Sequence, residues 1–316
     1  MGSGGKNDSG GGFTVVLAGK VGDDQFQRCK KGATFVMQAG EDLQCQVHTL
    51  LPIDYEVFKD KTLAENFKGQ QHKANVMAFC VYPESGLFEF IGGAPQFMAW
   101  IRQVYGYVDK GTNGMFYKRL AKVAYRDALA ATGRDYVYMD IHVGQRFEGR
   151  LVIELFNDLL PKTCTNFLSL CKGGTRAPDG RELAYAKTKI HRIVKGGWIQ
   201  GGDVIGGKGN DGMSIYGPTF EDESFMVKHD GIGIVGMANT GRHKNGSQFY
   251  VSLDKLAWLD GRKVAFGRVI EGIRVLRALN NLETQNERPV NPAVVISDCG
   301  VYRVGVDKED REGAGV

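Results

Sequence analysis

Residues 136–156 read YVYMDIHVGQRFEGRLVIELF, and their pattern is the first indication of how the C-terminal half folds. Apolar and polar residues alternate with a period of two on both sides of the turn at 144–145, which is the pattern of two half-buried strands joined as a hairpin. Pro161 then opens a helix. From there to Tyr302, short apolar runs alternate with glycine-containing turns, interrupted by one helix at 271–279. Many short strands with two helices predict a closed antiparallel barrel.

The residues before this hairpin predict a smaller α/β unit with the order βαβαββα. The expected strands are 13–18, 44–51, 74–82 and 87–91, and the expected helices are 23–38, 55–67 and one beginning at Pro95. This order resembles the thioredoxin-like fold. No CxxC follows the first strand and no Pro precedes the third, so dithiol exchange is not predicted. A docking module is the favoured interpretation, and a redox or glutathione-binding module is the alternative that one acidic cysteine would support.

The chain is therefore expected to have five segments, and the overall fold class is predicted to be α+β. Residues 115–131 predict a helix whose basic face is either a solvated connector or a protein contact. The segments are a flexible glycine-rich leader at 1–12, the α/β module at 13–112, a helical connector at 113–134, the barrel domain at 135–304 and a disordered tail at 305–316.

Composition excludes several classes of function. The 316 residues are 42% hydrophobic and carry a formal net charge of only +4, spread along the chain, so a dedicated nucleic-acid binder is not predicted. No secretory h-region or membrane-spanning run occurs, and Lys6 breaks a myristoylation motif. The six cysteines have no CxxC spacing, which favours reduced, buried thiols. The sequence predicts no metal, no cofactor, no membrane and a cytoplasmic location.

Eight sequence blocks in the barrel region resemble the cyclophilins, which are prolyl isomerases with an eight-stranded barrel capped by two helices. They occur in one order and with consistent spacing. The blocks are IELF at 153, PKTCTNF at 161, HRI at 191, QGGD at 200, SIYGPTFEDESF at 214, GIVGMAN at 233, NGSQFYV at 245 and WLDGRKVAFGRVIEG at 258.

The resemblance implies a reaction without bond cleavage. Rotation about an X-Pro bond crosses a barrier of about 18–20 kcal/mol through a twisted amide. The catalyst holds the proline in an apolar pocket and aims a fixed cation at its nitrogen, a task suited to arginine. By resemblance, Arg192 is the catalytic arginine and Gln200 orients it. The other implied contacts with the peptide are Ala238, Asn239, Thr240, Gln248, Tyr250, Trp258, Leu259, Lys263 and Trp198, and His191 is expected to be a hydrogen-bonded core histidine.

The chain departs from the family pattern in the pocket itself. Gly197 stands where the family has the floor Phe, and Trp198 replaces a Met. Tyr250, Lys263 and Thr240 replace Phe, His and Ala. Loss of a buried ring forfeits roughly 1.5–3 kcal/mol, or one to two orders of magnitude in affinity or rate, unless Trp198 refills the space. A loop at 173–183 is also inserted.

These observations leave two hypotheses for the function. The first is a weak cyclophilin-type isomerase of proline-containing segments. The second is a non-catalytic scaffold subunit of a large ciliary assembly, such as an axonemal radial spoke. The blocks GWIQGGD, GRHKNGSQFY and TQNERP narrow the resemblance to a branch that has an N-terminal extension and is associated with motile cilia. The resemblance also implies a cyclosporin-type ligand, and the substitutions in the pocket leave open whether such a ligand binds.

Overall fold

The computed structural model describes residues 13–38, 44–110 and 114–303. The chain divides into two compact units, Met1–Ala128 and Leu129–Val316. The division falls inside the helix Gly114–Ala130, whereas the sequence placed the boundary just after it. The predicted leader at 1–12 and tail at 305–316 lie outside the described residues.

The first unit has a four-stranded sheet in the order β2-β1-β3-β4, with β1 parallel to β2 and antiparallel to β3. Successive residues of β1 point to opposite faces, and each face is covered by helices. Val15 and Leu17 pack with α1 and α3, whereas Val16 and Ala18 pack with Tyr55 of α2. Two covered faces explain the uninterrupted apolar run in this strand. The elements are β1 (Thr14–Lys20), α1 (Asp24–Gln38), β2 (Gln44–Leu50), α2 (Pro52–Asn66), β3 (Val76–Tyr82), β4 (Leu87–Gly92), α3 (Ala94–Tyr105) and α4 (Gly114–Ala130).

The cysteines of this unit are poor candidates for redox chemistry. Burial raises the pKa of the Cys29 and Cys45 thiols to about 12, and that of Cys80 to about 11. Reactive cysteines require a lowered pKa, because the thiolate is the nucleophile. All six cysteines of the chain are free thiols. The acidic cysteine that the redox alternative requires is therefore not supplied by these three thiols.

In its described residues the second unit is an antiparallel eight-stranded barrel with two α-helices, so the α+β fold class with a barrel of this kind is confirmed. Its strand order is β16-β5-β6-β13-β11-β12-β10-β9, and a bridge between Lys189 and Val295 brings the two end strands together. The elements are β5 (Asp135–Val143), β6 (Arg146–Leu155), α5 (Pro161–Lys172), β7 (Thr175–Arg176), β8 (Glu182–Leu183), β9 (Ile190–Val194), β10 (Trp198–Gly201), β11 (Ile234–Met237), β12 (Phe249–Ser252), β13 (Ala265–Glu271), α6 (Ile273–Asn280), β14 (Thr284–Gln285), β15 (Arg288–Pro289) and β16 (Val294–Val301).

The described ranges of the chain contain neither a candidate membrane-spanning helix nor a candidate group of metal ligands. No helix there is both long and apolar enough to cross a bilayer. Nor do three or more His, Cys, Asp or Glu side chains converge there as a set of metal ligands.

Candidate active site

Strand pairing brings three of the predicted site residues together on the outer face of the barrel. Arg192 of β9 lies directly opposite Gln200 of β10, which in turn lies opposite Tyr250 of β12. Their neighbours Ile193 and Ile199 are fully buried in the barrel interior. Because side chains alternate between the two faces of a strand, the residues paired with one another on the opposite face form a continuous outer surface.

Arg192 is held by a carboxylate and an indole. Its Nε and Nη2 atoms each lie 2.7 Å from Oε2 of Glu287, in the β14–β15 hairpin. Its Cζ atom lies 5.2 Å from the ring centroid of Trp198, which is within the range of a cation–π contact. The Arg192 and Glu287 side chains are 40% and 47% exposed, so the ion pair is bathed by solvent and screened by it.

The side-chain amide of Gln200 forms hydrogen bonds with residues other than Arg192. Its Oε1 accepts a hydrogen bond from Nε1 of Trp198 at 3.3 Å, and its Nε2 donates to Oε1 of Gln248 at 2.8 Å. Gln248 in turn donates to the backbone carbonyl of Asp211 at 2.7 Å. Trp198, Gln200, Gln248 and the Asp211 carbonyl thus form one hydrogen-bonded chain, called here the amide relay.

A second polar network surrounds Asn239. The Lys263 ammonium donates to the Asn239 carbonyl at 2.7 Å and to its side-chain oxygen at 2.5 Å. Nδ2 of Asn239 donates to Oδ1 of Asn245 at 2.9 Å, and Asn245 donates to Asp222 at 2.9 Å. Burial lowers the pKa of Lys263, and the negative charge of Asp222 opposes that shift. The Lys263 ammonium therefore donates a hydrogen bond to the carbonyl of Asn239, a residue expected to bind the peptide backbone.

An apolar cluster lies between these two networks. Tyr250, Leu256 and Leu259 are its buried members, with Trp198 and Ala238 packed against them. The Trp198 and Trp258 rings are 6.0 Å apart, and Trp258 remains 57% exposed. Trp258 therefore offers an exposed aromatic face at the edge of the buried apolar cluster.

Comparison with known proteins agrees with this arrangement. A family model described as "Cyclophilin type peptidyl-prolyl cis-trans isomerase/CLD" matches residues 138–301, just over half of the chain. The chain belongs to the cyclophilin family. The matched range coincides with the barrel and its two helices, so the first unit lies outside it.

Curated relatives also support the predicted branch of the cyclophilin family. "Probable inactive peptidyl-prolyl cis-trans isomerase-like 6" of Homo sapiens is 46% identical over 204 residues, which cover 64% of this chain and 65% of the relative. The protein of the same name from Bos taurus is 42% identical over 215 residues, covering 68% and 70%. The "NK-tumor recognition protein" of Mus musculus is 41% identical over 183 residues, 57% of this chain but 13% of that protein. The match thus spans just under two thirds of the human relative.

The cyclophilin domain departs from the expected geometry at Arg192, the arginine that the resemblance assigns to catalysis. Gln200 was expected to orient Arg192, and strand pairing does place them opposite each other. In the described part of the chain, however, the hydrogen bonds of Gln200 go to Trp198 and Gln248, and Arg192 bonds to Glu287. Glu287 was missed because it lies 95 positions away in sequence. The block TQNERP that contains it was used only to identify the branch.

Tyr250 adds less polarity to the cyclophilin pocket than its sequence suggests. Its side chain is 3% exposed, and its hydroxyl lies 2.5 Å from Nε2 of the buried His229, which contacts Asp260 at 2.8 Å. Burial, with a smaller effect of Asp260, raises the pKa of Tyr250. The hydroxyl therefore points into the protein, and the ring can serve as the apolar wall that a Phe would provide.

The other altered positions have different outcomes. Trp198 packs against the apolar cluster, and Thr240 is exposed. Gly197 is buried, and a Cβ there would lie 3.0 Å from Cγ1 of Val194. A larger side chain at Gly197 would therefore require Val194 to shift.

The loop after β10 supports the strand that carries Arg192. Asp203 is 2% exposed, and its carboxylate accepts four backbone N–H bonds of 2.8–3.1 Å from residues 205–209. This loop brings Gly209, at a φ of +85°, so close to His191 that a Cβ would lie 2.2 Å from the ring. His191 was expected to be a hydrogen-bonded core histidine. Among the described residues no contact of strict hydrogen-bond geometry reaches its buried ring nitrogens, but the Gln248 side chain and the Lys189 backbone lie near enough to raise its pKa as hydrogen-bond partners. Burial lowers the pKa of His191, and the negative charge of Asp203 opposes that shift.

Proposed function

We propose that the cyclophilin domain binds proline-containing segments across Arg192 and the apolar cluster, and catalyses their isomerisation weakly. One observation carries the proposal: the Arg192 guanidinium lies on the outer face of the barrel, 5.2 Å from the ring centroid of Trp198, which packs against the cluster of Tyr250, Leu256 and Leu259. Binding of proline peptides in general is supported by the family match.

The geometry suits a reaction that transfers no proton. As the X-Pro amide twists, its nitrogen lone pair localises, and a cation that stays charged stabilises it. A substrate pyrrolidine ring lying on the cluster would bring this nitrogen towards Arg192. Only contacts that strengthen in the twisted state raise the rate, so the position of this one cation matters most.

The same geometry explains why the activity is expected to be weak. The carboxylate of Glu287 offsets the charge of Arg192. Lys263 donates a hydrogen bond to the Asn239 carbonyl. Within the amide relay, the side chains of Gln200 and Gln248 are hydrogen-bonded to each other. Each of these contacts competes with a substrate for the same group. The printed names of the human and bovine relatives, "probable inactive", are consistent with a low rate.

The first prediction concerns the substitution Arg192→Ala. We expect the wild-type chain to accelerate cis-to-trans conversion of a proline tetrapeptide, and Arg192→Ala to lose about tenfold, down to the rate in buffer, since removal of one transition-state donor costs at least that much. The control is Arg146→Ala, which removes an exposed arginine paired with Glu148 elsewhere on the barrel. Equal rates for wild type, Arg192→Ala and buffer would refute catalysis.

A second candidate is a non-catalytic scaffold in the cytoplasm of ciliated cells, attached to the axoneme. It is favoured by the neutralised arginine and by the resemblance to a ciliary branch. Calorimetric titration with a proline peptide, together with the isomerisation rate, separates the two, because a scaffold binds the peptide without accelerating isomerisation. A cyclosporin-type ligand can be titrated in the same way. Absence of the tagged full chain from axonemes of ciliated cells would contradict the ciliary role.

A further inference from the structure

The β14–β15 hairpin, residues 284–289, is fastened to the strand that carries Arg192. Thr284 pairs with Pro289 and Gln285 with Arg288, which leaves Asn286 and Glu287 as a two-residue turn. The backbone carbonyl of Glu287 accepts a hydrogen bond from the N–H of Ile193 at 2.7 Å. The residue next to Arg192 therefore fixes the position of the hairpin turn.

Glu287 occupies a backbone conformation that does not favour glutamate. Asn286 and Glu287 have φ angles of +50° and +62°. Two-residue hairpin turns with positive φ at both positions favour Asn followed by Gly. Asn286 fits that preference, whereas a non-glycine residue such as Glu287 is uncommon in this region and strains the backbone. Its side chain thus projects from a strained position directly onto the guanidinium.

We infer that Glu287 is an electrostatic latch that restrains the catalytic arginine and sets the isomerase rate. The inference rests on the proposed function and concerns the regulation of the same site. One carboxylate oxygen takes two of the five guanidinium N–H donors, and its charge offsets the field that the twisted amide needs. In the latched state the guanidinium is stabilised before substrate arrives, which adds to the barrier.

The latch is weak enough to open. Both side chains are substantially exposed, and exposed ion pairs contribute little in water. The arginine therefore exchanges between the carboxylate and a bound substrate at a modest penalty. We expect release of the latch to raise the rate two- to about fivefold, the range that such a pair can supply.

The test compares two substitutions at Glu287 with one matched control in the full chain. Glu287→Gln keeps the size of the side chain and an acceptor oxygen but removes the charge. Glu287→Gly removes the side chain and relieves the positive-φ strain. Glu283→Gln makes the same charge change at an exposed glutamate outside the hairpin. We expect kcat/KM for a proline tetrapeptide to rise two- to about fivefold in both Glu287 variants, to stay unchanged in Glu283→Gln and to disappear in Arg192→Ala/Glu287→Gln.

A spectroscopic readout shows whether Glu287 acts through Arg192. The Arg192 Nε–H signal in a ¹⁵N-labelled sample, assigned by its loss in Arg192→Ala, should shift and exchange faster with water in both Glu287 variants and not in Glu283→Gln. A purely structural role of the hairpin would leave activity equal or lower and would not raise it. An unchanged Nε–H signal in Glu287→Gln would overturn the latch whatever the rates.

The outcomes separate the latch from the proposed function. If wild type accelerates isomerisation, Arg192→Ala abolishes it and Glu287→Gln is no faster than wild type, the latch is refuted and the isomerase stands. If only the Glu287 variants accelerate, the latch is supported and the wild-type chain is a silenced isomerase. If no variant accelerates, catalysis and the latch both fail, and peptide titration decides whether binding remains.

Discussion

Replacement of Phe167 by alanine is expected to lower the free energy of unfolding of the cyclophilin unit by about 3–5 kcal/mol. Phe167 of α5 is fully buried, and its ring lies 5.0–5.2 Å from the rings of Tyr185, Phe249 and Phe266. Truncation leaves a cavity that three rigid rings cannot close, in addition to the lost burial. Phe249 also precedes Tyr250, so the apolar cluster loses support.

Urea denaturation followed by far-UV circular dichroism measures this loss. The matched control is Phe147→Ala, the same substitution at a side chain that is 49% exposed, for which we expect a change of about 0.5 kcal/mol or less. A loss below about 1.5 kcal/mol for Phe167→Ala would show that the barrel core repacks around the gap, against the rigid packing described here.

Replacement of Asp203 by asparagine is expected to lower the free energy of unfolding by about 2–4 kcal/mol. Each carboxylate oxygen accepts two backbone N–H bonds, and the amide group of asparagine would turn an NH₂ donor towards two of those donors. The loop should then become more mobile. It would pack less firmly against His191, and the Asp211 carbonyl would hold the amide relay less firmly. Asp211→Asn is the control, since Asp211 is exposed and accepts from the adjacent Gly212.

The effect of Asp203→Asn should depend on pH in one direction. Burial would raise the pKa of Asp203, but the backbone N–H groups of Gly206, Gly209 and Ile205 outweigh it and hold the pKa below its usual value. A carboxylate with a lowered folded-state pKa contributes stability that is complete above the unfolded value, about 3.9, and is lost as the pH falls through the folded value. The difference between wild type and Asp203→Asn should therefore be constant from about pH 5 to 8 and shrink below about pH 4. A difference that grows in acid would contradict this account.

Local patterns in the sequence were sufficient to predict most of the fold. Alternation in residues 136–156 predicted β5 and β6, because one face of each strand must be buried. The element order of the first unit was also predicted, although α2 begins at Pro52 and not at residue 55. Proline is favoured in the first turn of a helix, so that signal was present and was missed.

The partners of the site residues could not be predicted in the same way. Periodicity shows that Arg192 and Gln200 share a face, but not whether an amide turns towards its cross-strand neighbour or towards Trp198. The contact of Arg192 with Glu287 depends on a hairpin turn whose position is set by a backbone bond to Ile193. Contacts between side chains that are distant in sequence depend on tertiary packing, and tertiary packing produces no periodic pattern from which they could be predicted. The roles assigned to the site residues remain predictions until the variants are measured.

The pair of indoles at the edge of the site has a practical consequence. Trp198 is packed on the cluster and Trp258 projects into water, with their ring planes inclined at 58°. Two tryptophans so close and so inclined couple their electronic transitions and give a signature in the near-ultraviolet dichroism spectrum. A ligand that binds between the two rings is expected to change that signature, so near-ultraviolet dichroism can follow binding without an added label.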